Sequence, residues 1–351
     1  MTDPLYPVDL RELTQENLIR FVVQQGQPAF RGKQLLPWLY KPGVPAFNAM
    51  TDLARDFRIL LEQRARISSL EPAQVERSAD GAVKFGFVLD DGAIIESVLI
   101  PEEDRNTLCI SSQVGCAMGC VFCLTGRMGL KRNLRVAEIV DQVCAVRDWM
   151  LAEERPPLTN LVFMGMGEPL ANLERVLDAI SIFTEQRGLD FSNRRITVST
   201  CGLVPQMLEL GEKTDVNLAI SLHAADDETR ARLMPVNRRY PLAVLIDAAK
   251  RYRQKRRKRV MFEYTLLSGV NDSDEDARRL AKLLREVRCK VNLLAVNPAE
   301  GSGFQSPGPE RMLAFQKILR DKGFTVFIRH SRGADISAAC GQLAGKMAMP
   351  Q

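Results

Sequence analysis

From about residue 106 onward, short apolar runs alternate with helical ones, and this alternation limits the chain to very few folds. Strands are expected at 106–112, 159–164, 194–199, 215–221, 259–266, 288–296 and 323–330. Helical periodicity fills the gaps, for example at 136–152, 172–186, 241–254, 273–286 and 309–321. Strands that exchange regularly with helices pair in parallel, because each parallel return needs a crossover. The expectation is an α/β fold. About 240 residues are too few for a full eight-unit barrel, so a partial, splayed barrel of the (βα)6 type fits better.

Polar or glycine-rich residues recur straight after these strands. A cysteine loop follows the first, Gly165-Met-Gly-Glu168 the second and Ser199-Thr-Cys-Gly202 the third. Ser221-Leu-His223 closes the fourth, Asn297-Pro298 the sixth and Arg332-Gly-Ala-Asp335 the seventh. Parallel barrels build active sites from the loops at the carboxyl ends of their strands, so all six features are expected at one end of the sheet.

The loop after the first strand reads Cys116-Ala-Met-Gly-Cys120-Val-Phe-Cys123. Three thiols at CxxxCxxC spacing can converge on one metal centre, one short of the four that close a structural zinc or a cubic iron–sulfur site. An iron left without a protein ligand can bind and reduce a small molecule. The alternative is a zinc site closed by Cys109 or another distant ligand. Among the other cysteines, Cys144 and Cys289 suit packing and Cys201 could line a pocket. Cys109 sits on the strand that feeds the loop, and Cys340 beyond the last strand. They are either packing residues or two thiols able to do covalent chemistry at the barrel mouth.

Gly165-Met-Gly-Glu168 lacks the third glycine of a dinucleotide fingerprint. Its glycines would let a ligand approach the backbone and Glu168 would accept from an ammonium group; a plain strand-end turn is the alternative. Ser199, Ser221 and Asn297 suit sugar hydroxyls or a carboxylate, or else cap strand ends. His223 and His330 are the only two histidines, and each reads as a hydrogen-bonded structural residue before it reads as a catalyst.

Upstream, residues 1–65 read as small amphipathic helices. Leu18, Phe21 and Val22 share one face before Gly26 stops the run, and Phe30–Tyr40 aligns Leu35, Trp38 and Leu39 with a kink due at Pro37. Residues 66–103 read as strands punctuated by Asp80-Gly81 and Asp91-Gly92, both hairpin signals. On the last of these strands Glu96 shares a face with Ile94, Val98 and Ile100. It is either an edge residue reaching water or a functional base.

The net charge of +5 decides nothing alone. Its distribution is more telling: residues 251–259 hold seven cations in nine positions, and Arg127, Lys131, Arg132 and Arg135 follow the cysteine loop. Such clusters contact phosphates or simply face water. No apolar run approaches the roughly 18–20 residues that span a bilayer, and the amino terminus has no signal-peptide pattern. A cytoplasmic location is expected, and there eight cysteines read as metal-binding or reactive thiols.

The CxxxCxxC spacing is the signature of radical S-adenosylmethionine (SAM) enzymes, and further stretches narrow the match. They are Phe30-Arg31 with Trp38-Leu-Tyr40, Glu96-Ser-Val-Leu-Ile-Pro101, Cys109-Ile-Ser-Ser-Gln-Val-Gly-Cys116 and Phe163-Met-Gly-Met-Gly-Glu-Pro-Leu170. Ile196-Thr-Val-Ser-Thr200, Leu218-Ala-Ile-Ser-Leu-His-Ala224, Asn297-Pro298, Arg332-Gly-Ala-Asp-Ile336 and Ala338-Ala-Cys-Gly-Gln-Leu-Ala-Gly345 complete them. On these residues the chain resembles the radical SAM RNA adenine-C2 methyltransferase family (RlmN) over nearly its whole length. The sister adenine-C8 group (Cfr) is the nearest alternative, and Pro169 after Glu168 looks like the C2 group. Cys201 departs from the serine usual in its turn, and Ala299-Glu300 departs from His-Pro.

The resemblance implies a [4Fe–4S] cluster on Cys116, Cys120 and Cys123, and SAM bound by Gly167, Glu168, Ser199, Ser221, Leu222, His223 and Asn297. It implies that Cys340 carries the methyl group, that Cys109 resolves the resulting bond and leaves a disulfide, and that Glu96 accepts a proton. It further implies an RNA-binding helical unit at 1–65, a β extension at 66–103 and a radical SAM partial barrel at 104–345. The substrates implied are adenine 2503 of 23S rRNA, at the peptidyl-transferase centre, and adenine 37 of tRNA. A flavodoxin- or ferredoxin-like electron donor, a monomer and no membrane complete the expectation. The contrasting class is a zinc-stabilised RNA-binding protein without catalysis.

Overall fold

The structure, a computed structural model, describes residues 7–43, 46–252, 259–297 and 303–345. Its main sheet has ten strands: β1 Pro72–Arg77, β2 Val83–Val88, β3 Ile94–Glu102, β4 Arg105–Cys109, β5 Asn160–Phe163, β6 Ile196–Thr200, β7 Asn217–Ser221, β8 Val260–Leu266, β9 Cys289–Ala295 and β10 Val326–Arg329. They lie side by side in chain order. β1 to β4 pair antiparallel and β4 to β10 pair in parallel.

All seven expected parallel strands form, and six helices connect them: Val136–Ala152, Leu173–Phe183, Val204–Lys213, Leu242–Arg251, Asp274–Leu284 and Pro309–Asp321. That makes six βα units and a closing strand. Crossovers of one hand between sequential neighbours put every helix on the same face of the sheet. The twisted sheet curls with its other face inward. On the helix-covered face alternate residues such as Ile196, Val198, Leu218, Ile220, Phe262 and Tyr264 are completely buried, and Tyr264 meets Phe315 of the last helix. Each large apolar side chain removed from water in this way contributes roughly 1.5–3 kcal/mol.

The first strand is shorter than the expected 106–112. It ends at Cys109, and Gln113–Cys116 turns away to pair antiparallel with Gly129–Asn133 in a separate hairpin.

The amino-terminal helices share one continuous core with the barrel. Val8–Asp9 pairs with Ala65–Arg66 and closes the helical unit on itself. Arg11 then fastens it to the barrel: its buried guanidinium lies 2.7 Å from Asp141 and donates to the carbonyls of Leu39 at 3.0 Å and Ser68 at 2.9 Å. The helix Phe30–Leu39 runs through Pro37 and stops two residues later. Arg11 takes up its last carbonyl, and Arg147 takes that of Tyr40.

Among the described residues β10 and β1 pair with no further strand, so the barrel does not close. The segment after β10 crosses the gap instead. Gly333 N donates to the Asp80 carboxylate at 2.8 Å, Ser78 Oγ to Asp335 at 2.6 Å and Lys84 Nζ to the Ile336 carbonyl at 2.7 Å. No helix of the described residues is long and apolar enough to cross a membrane.

Candidate active site

The cysteine loop is held by its own flanks. Gly115 sits at a bulge in the hairpin with φ +76°, where an added Cβ would lie 1.9 Å from the Gly129 carbonyl oxygen. Only glycine fits. Beyond Cys123 a single helical turn, Leu124–Arg127, brings Gly126 so close that a Cβ there would sit 3.0 Å from Cys120 N.

All eight cysteines are free thiols. Among the described residues no three His, Cys, Asp or Glu side chains are gathered tightly enough for a single metal ion. Cys116, Cys120 and Cys123 are grouped on a wider scale. Burial raises all three thiols, that of Cys116 to about 12, and Cys123 pushes Cys116 and Cys120 further up. Three soft donors spread over one loop suit a multi-iron cluster, whose cations would draw the protons off the thiols.

Glu168 is buried beside them. Its carboxylate accepts from Leu170 N at 3.1 Å and Cys201 N at 2.8 Å, so it caps the following turn while its charge reaches Cys116 and Cys120. Burial raises its pKa against those hydrogen bonds. The glycines before it are required by the protein's own packing. A Cβ on Gly165 would lie 2.7 Å from the Ile110 carbonyl oxygen, and one on Gly167 (φ +99°) 2.5 Å from Gln113 Cβ. They let β5's end lie against the chain that feeds the cysteine loop.

His223 is a buried, hydrogen-bonded residue. It adopts φ +56°, and its Nδ1 accepts from Thr265 N at 2.9 Å, which leaves the proton on Nε2. Burial and then the charge of Arg230 lower its pKa to about 3, so it is neutral. Its ring meets Phe122 of the cysteine loop edge-on at 4.9 Å. Leu222 lies in the core with both backbone groups engaged, its N–H on the Glu263 carbonyl and its own carbonyl on Arg230. Ser199, one residue before the end of β6, and Ser221, the last of β7, are half-buried.

Cys340 reaches the same mouth. Leu124 N donates to the Gly341 carbonyl at 2.8 Å, and Asn297 Nδ2 to the Cys340 carbonyl at 3.2 Å. Its residue is open to solvent, yet the protein walls around it and the Glu263 carboxylate hold its thiol above the usual range. Cys109 is buried, which raises its thiol strongly, and Cys340 adds to that shift. The two sulfurs are thus electrostatic neighbours. Glu96 is also there, but its Oε2 accepts from Ala344 N and Gly345 N, each at 2.8 Å, and Lys84 Nζ lies 3.6 Å from Oε1. It anchors the segment that carries Cys340.

Three site residues escaped the sequence reading: Glu263, Asn292 and Arg230. Glu263 and Asn292 stand in register with Ser221 across β7, β8 and β9, and Asn292 Nδ2 donates to Glu263 at 2.8 Å. A glutamate between Phe262 and Tyr264 on a central strand was the available signal. Arg230, fully buried under Cys201 and Leu222, gave none.

The basic residues after the loop are partly spent within the protein. Arg132 pairs with Asp91 and Glu138, and Arg135 with Asp90 and Glu138. Of the run 251–259, residues 253–258 lie outside the described residues.

A family model described as the Radical SAM superfamily matches residues 110–281, and one described as the ribosomal RNA large subunit methyltransferase N-terminal domain matches 8–67. A radical SAM methyltransferase from Sphaerobacter thermophilus superposes with a TM-score of 0.90 at 45% identity, covering 97% of this chain and all of that one. Fold and site define a radical SAM enzyme, with a [4Fe–4S] cluster and SAM as its cofactors. Dual-specificity RNA methyltransferases RlmN from Desulfotalea psychrophila and Geobacter sulfurreducens are 57% and 54% identical, over 96% and 97% of this chain and 95% and 93% of their own. The chain belongs to the RlmN family.

Proposed function

We propose that this radical SAM RNA methyltransferase places its methyl group on C2 of adenine, in 23S rRNA at the peptidyl-transferase centre and in the anticodon arm of tRNA, through an S-methylcysteine at Cys340. One observation carries the reading: two further thiols, Cys109 and Cys340, share the barrel mouth with the CxxxCxxC loop, near enough for the charge of Cys340 to act on Cys109. Direct transfer from SAM to a base carbon needs no such pair. C2 of adenine lies between two electron-withdrawing nitrogens and is a poor nucleophile, so a radical route is required.

Cys116, Cys120 and Cys123 would hold the cluster, and Gly167, Glu168, Ser199, Ser221, Leu222, His223 and Asn297 would surround SAM. When bound, cluster and SAM supply a 5′-deoxyadenosyl radical. Cys340 would first take the methyl group of one SAM onto its sulfur, with S-adenosylhomocysteine as the leaving group. Once that methyl group has lost a hydrogen atom to the adenosyl radical and its carbon has joined C2, the adduct's unpaired electron would go back to the oxidised cluster. Cys109 would then attack the Cys340 sulfur, and the carbon would leave with the electron pair of its sulfur bond and take up a proton. Glu96 takes the ring proton, and protonation would loosen its hold on Ala344 and Gly345. A cellular thiol reductant reopens the Cys109–Cys340 disulfide. The helical unit 1–65 would hold RNA, with 66–103 as a β extension and 104–345 as the catalytic barrel. The enzyme would act as a cytoplasmic monomer, reduced by a flavodoxin- or ferredoxin-like donor.

Mass analysis of nucleosides from 23S rRNA and tRNA, in cells with and without the gene, tests the regiochemistry. 2-Methyladenosine is expected, and 8-methyladenosine would overturn it.

A further inference from the structure

Two arginines among the described residues are completely buried, and among those residues only one of the two has a carboxylate within ion-pair distance. Arg11 faces Asp141 at 2.7 Å. Arg230, on the short helix Asp227–Leu233, donates to the carbonyls of Leu222 (3.0 Å), Cys201 (2.8 Å) and Ser221 (3.1 Å) and to Asn237 Oδ1 (2.9 Å). Every acceptor is neutral, and among the described residues no carboxylate comes within ion-pair distance of it. A guanidinium taken out of water on these terms carries a large desolvation cost. Burial lowers its pKa to about 10, which still leaves it charged at neutral pH.

Its surroundings show where an anion belongs. The helix bearing Arg230 ends by accepting a hydrogen bond from inside the cysteine loop, Val121 N to the Leu233 carbonyl at 3.1 Å. Met118, Cys120, Val121 and Phe122 pack on Leu233, Met234 and Cys201. The guanidinium is close enough to the loop for its charge and that of the Cys120 thiol to act on each other.

We propose that Arg230 is the resident counter-charge of the iron–sulfur cluster, a positioning residue whose fixed cation favours the reduced state. The proposal rests on the assignment of Cys116, Cys120 and Cys123 as cluster ligands. Three thiolates outweigh the positive core, so the loaded site is an anion and each added electron makes it more negative. A cation held in a water-poor interior acts on that charge with little screening. The same fork fixes three carbonyls at the ends of β6 and β7, so the charge is anchored to the strands that frame the mouth.

The test is an anaerobic redox titration of the reconstituted holoenzyme, followed by electron paramagnetic resonance. At the wild-type midpoint, Arg230→Gln is expected to lower the ratio of reduced to oxidised cluster about ten-fold, equivalent to about 59 mV for one electron, at unchanged iron content. Arg230→Lys keeps the charge without the four-way fork and should restore most of the ratio. Asn237 Nδ2 donates to Asp227 Oδ1 at 2.8 Å, so the exchange Asp227→Asn with Asn237→Asp keeps that bond and moves the carboxylate onto the guanidinium, in a protein that keeps Arg230. It should lower the ratio likewise, so the result stands even if Arg230→Gln does not fold. A wild-type midpoint in this double variant and in any folded Arg230→Gln protein overturns the proposal. Arg230→Lys as low as Arg230→Gln also overturns it, because the residue is then only a structural peg. A wild-type protein that takes up no iron refutes the cysteine assignment itself, and this proposal falls with it.

Discussion

Two cysteine-bearing segments meet at the barrel mouth, and they are built on opposite plans. The loop Cys116–Cys123 is held locally, by a hairpin on one side and a helical turn on the other, with glycines at Gly115 and Gly126 where no larger residue fits. The segment Gly333–Gly345 has only the short turn Ala334–Ile336 of its own. It hangs from distant partners: Asp80, Ser78 and Lys84 at one end, Thr125 and Glu96 at the other, and Asn297 beside Cys340. A hairpin gives way cooperatively, whereas single hydrogen bonds, each worth roughly 0.5–1.5 kcal/mol, can be released one at a time. The contrast matches the roles proposed for the two segments: cluster ligands must stay still, and a methyl carrier that serves first SAM and then a base must move.

The largest expected effect is on the fixed side. Cys120→Ala should lose most of the bound iron and its visible absorbance, and lower methylation on the order of a thousand-fold or more. Iron analysis beside an activity assay decides it, and a full iron complement would break the contrast.

The mobile side comes next. Cys340→Ala should neither carry methyl nor modify RNA. Cys109→Ala should join the base and then stall, seen as a nuclease-sensitive mass increase on the protein. Normal turnover by either variant removes the two-thiol scheme.

Glycine replacements sharpen the comparison without touching a thiol. Gly115→Ala should cost on the order of 2–4 kcal/mol and reduce iron uptake, since its Cβ meets the Gly129 carbonyl oxygen at 1.9 Å. Gly341→Ala, with φ +84° but 3.3 Å to the Phe122 carbonyl oxygen, should cost about 1 kcal/mol and leave iron uptake intact. Thermal melts with iron analysis rank them.

A smaller effect tests His223. Its folded pKa of about 3 lies below the ordinary value near 6.5, so the unfolded chain binds the extra proton between these values. Its contribution is complete above pH 6.5 and is lost as pH falls toward 3, at up to about 1.4 kcal/mol per pH unit. His223→Asn tolerates the positive φ and should flatten that part of the stability profile measured by urea unfolding.

The smallest effect is at the clasp. Asp335→Asn weakens the bonds from Ser78 Oγ and Ala79 N. Tm should barely move, yet limited proteolysis within 333–345 should quicken several-fold. Unchanged cleavage would mean that this segment is no looser than the cysteine loop.

Much of this arrangement was legible in the chain. The strand expected at 259–266 is Val260–Leu266, and the helix expected at 309–321 is Pro309–Asp321, because hydrophobic periodicity is local information. The cysteine loop and the polar strand ends were readable for the same reason. Partnerships across the fold were not. Arg230 sits in Asp-Glu-Thr-Arg-Ala-Arg, which reads as a solvated helix, and only its burial against Cys201 and Leu222 sets it apart. Arg132 and Arg135 read either as phosphate contacts or as a solvated face, and their pairing with Asp90, Asp91 and Glu138 was not visible in the chain. Glu96 read either as an edge residue reaching water or as a functional base, and the two amides it holds come from residues 248 and 249 positions away in the chain.

The unclosed seam between the first and last strands of the sheet has a topological consequence. A ring of strands admits a polymer only by threading from an end, and an internal nucleotide of a long folded RNA has no end nearby. A sheet with a side gap, fastened by a few polar contacts, lets a loop of such a polymer be laid in laterally and lifted out again.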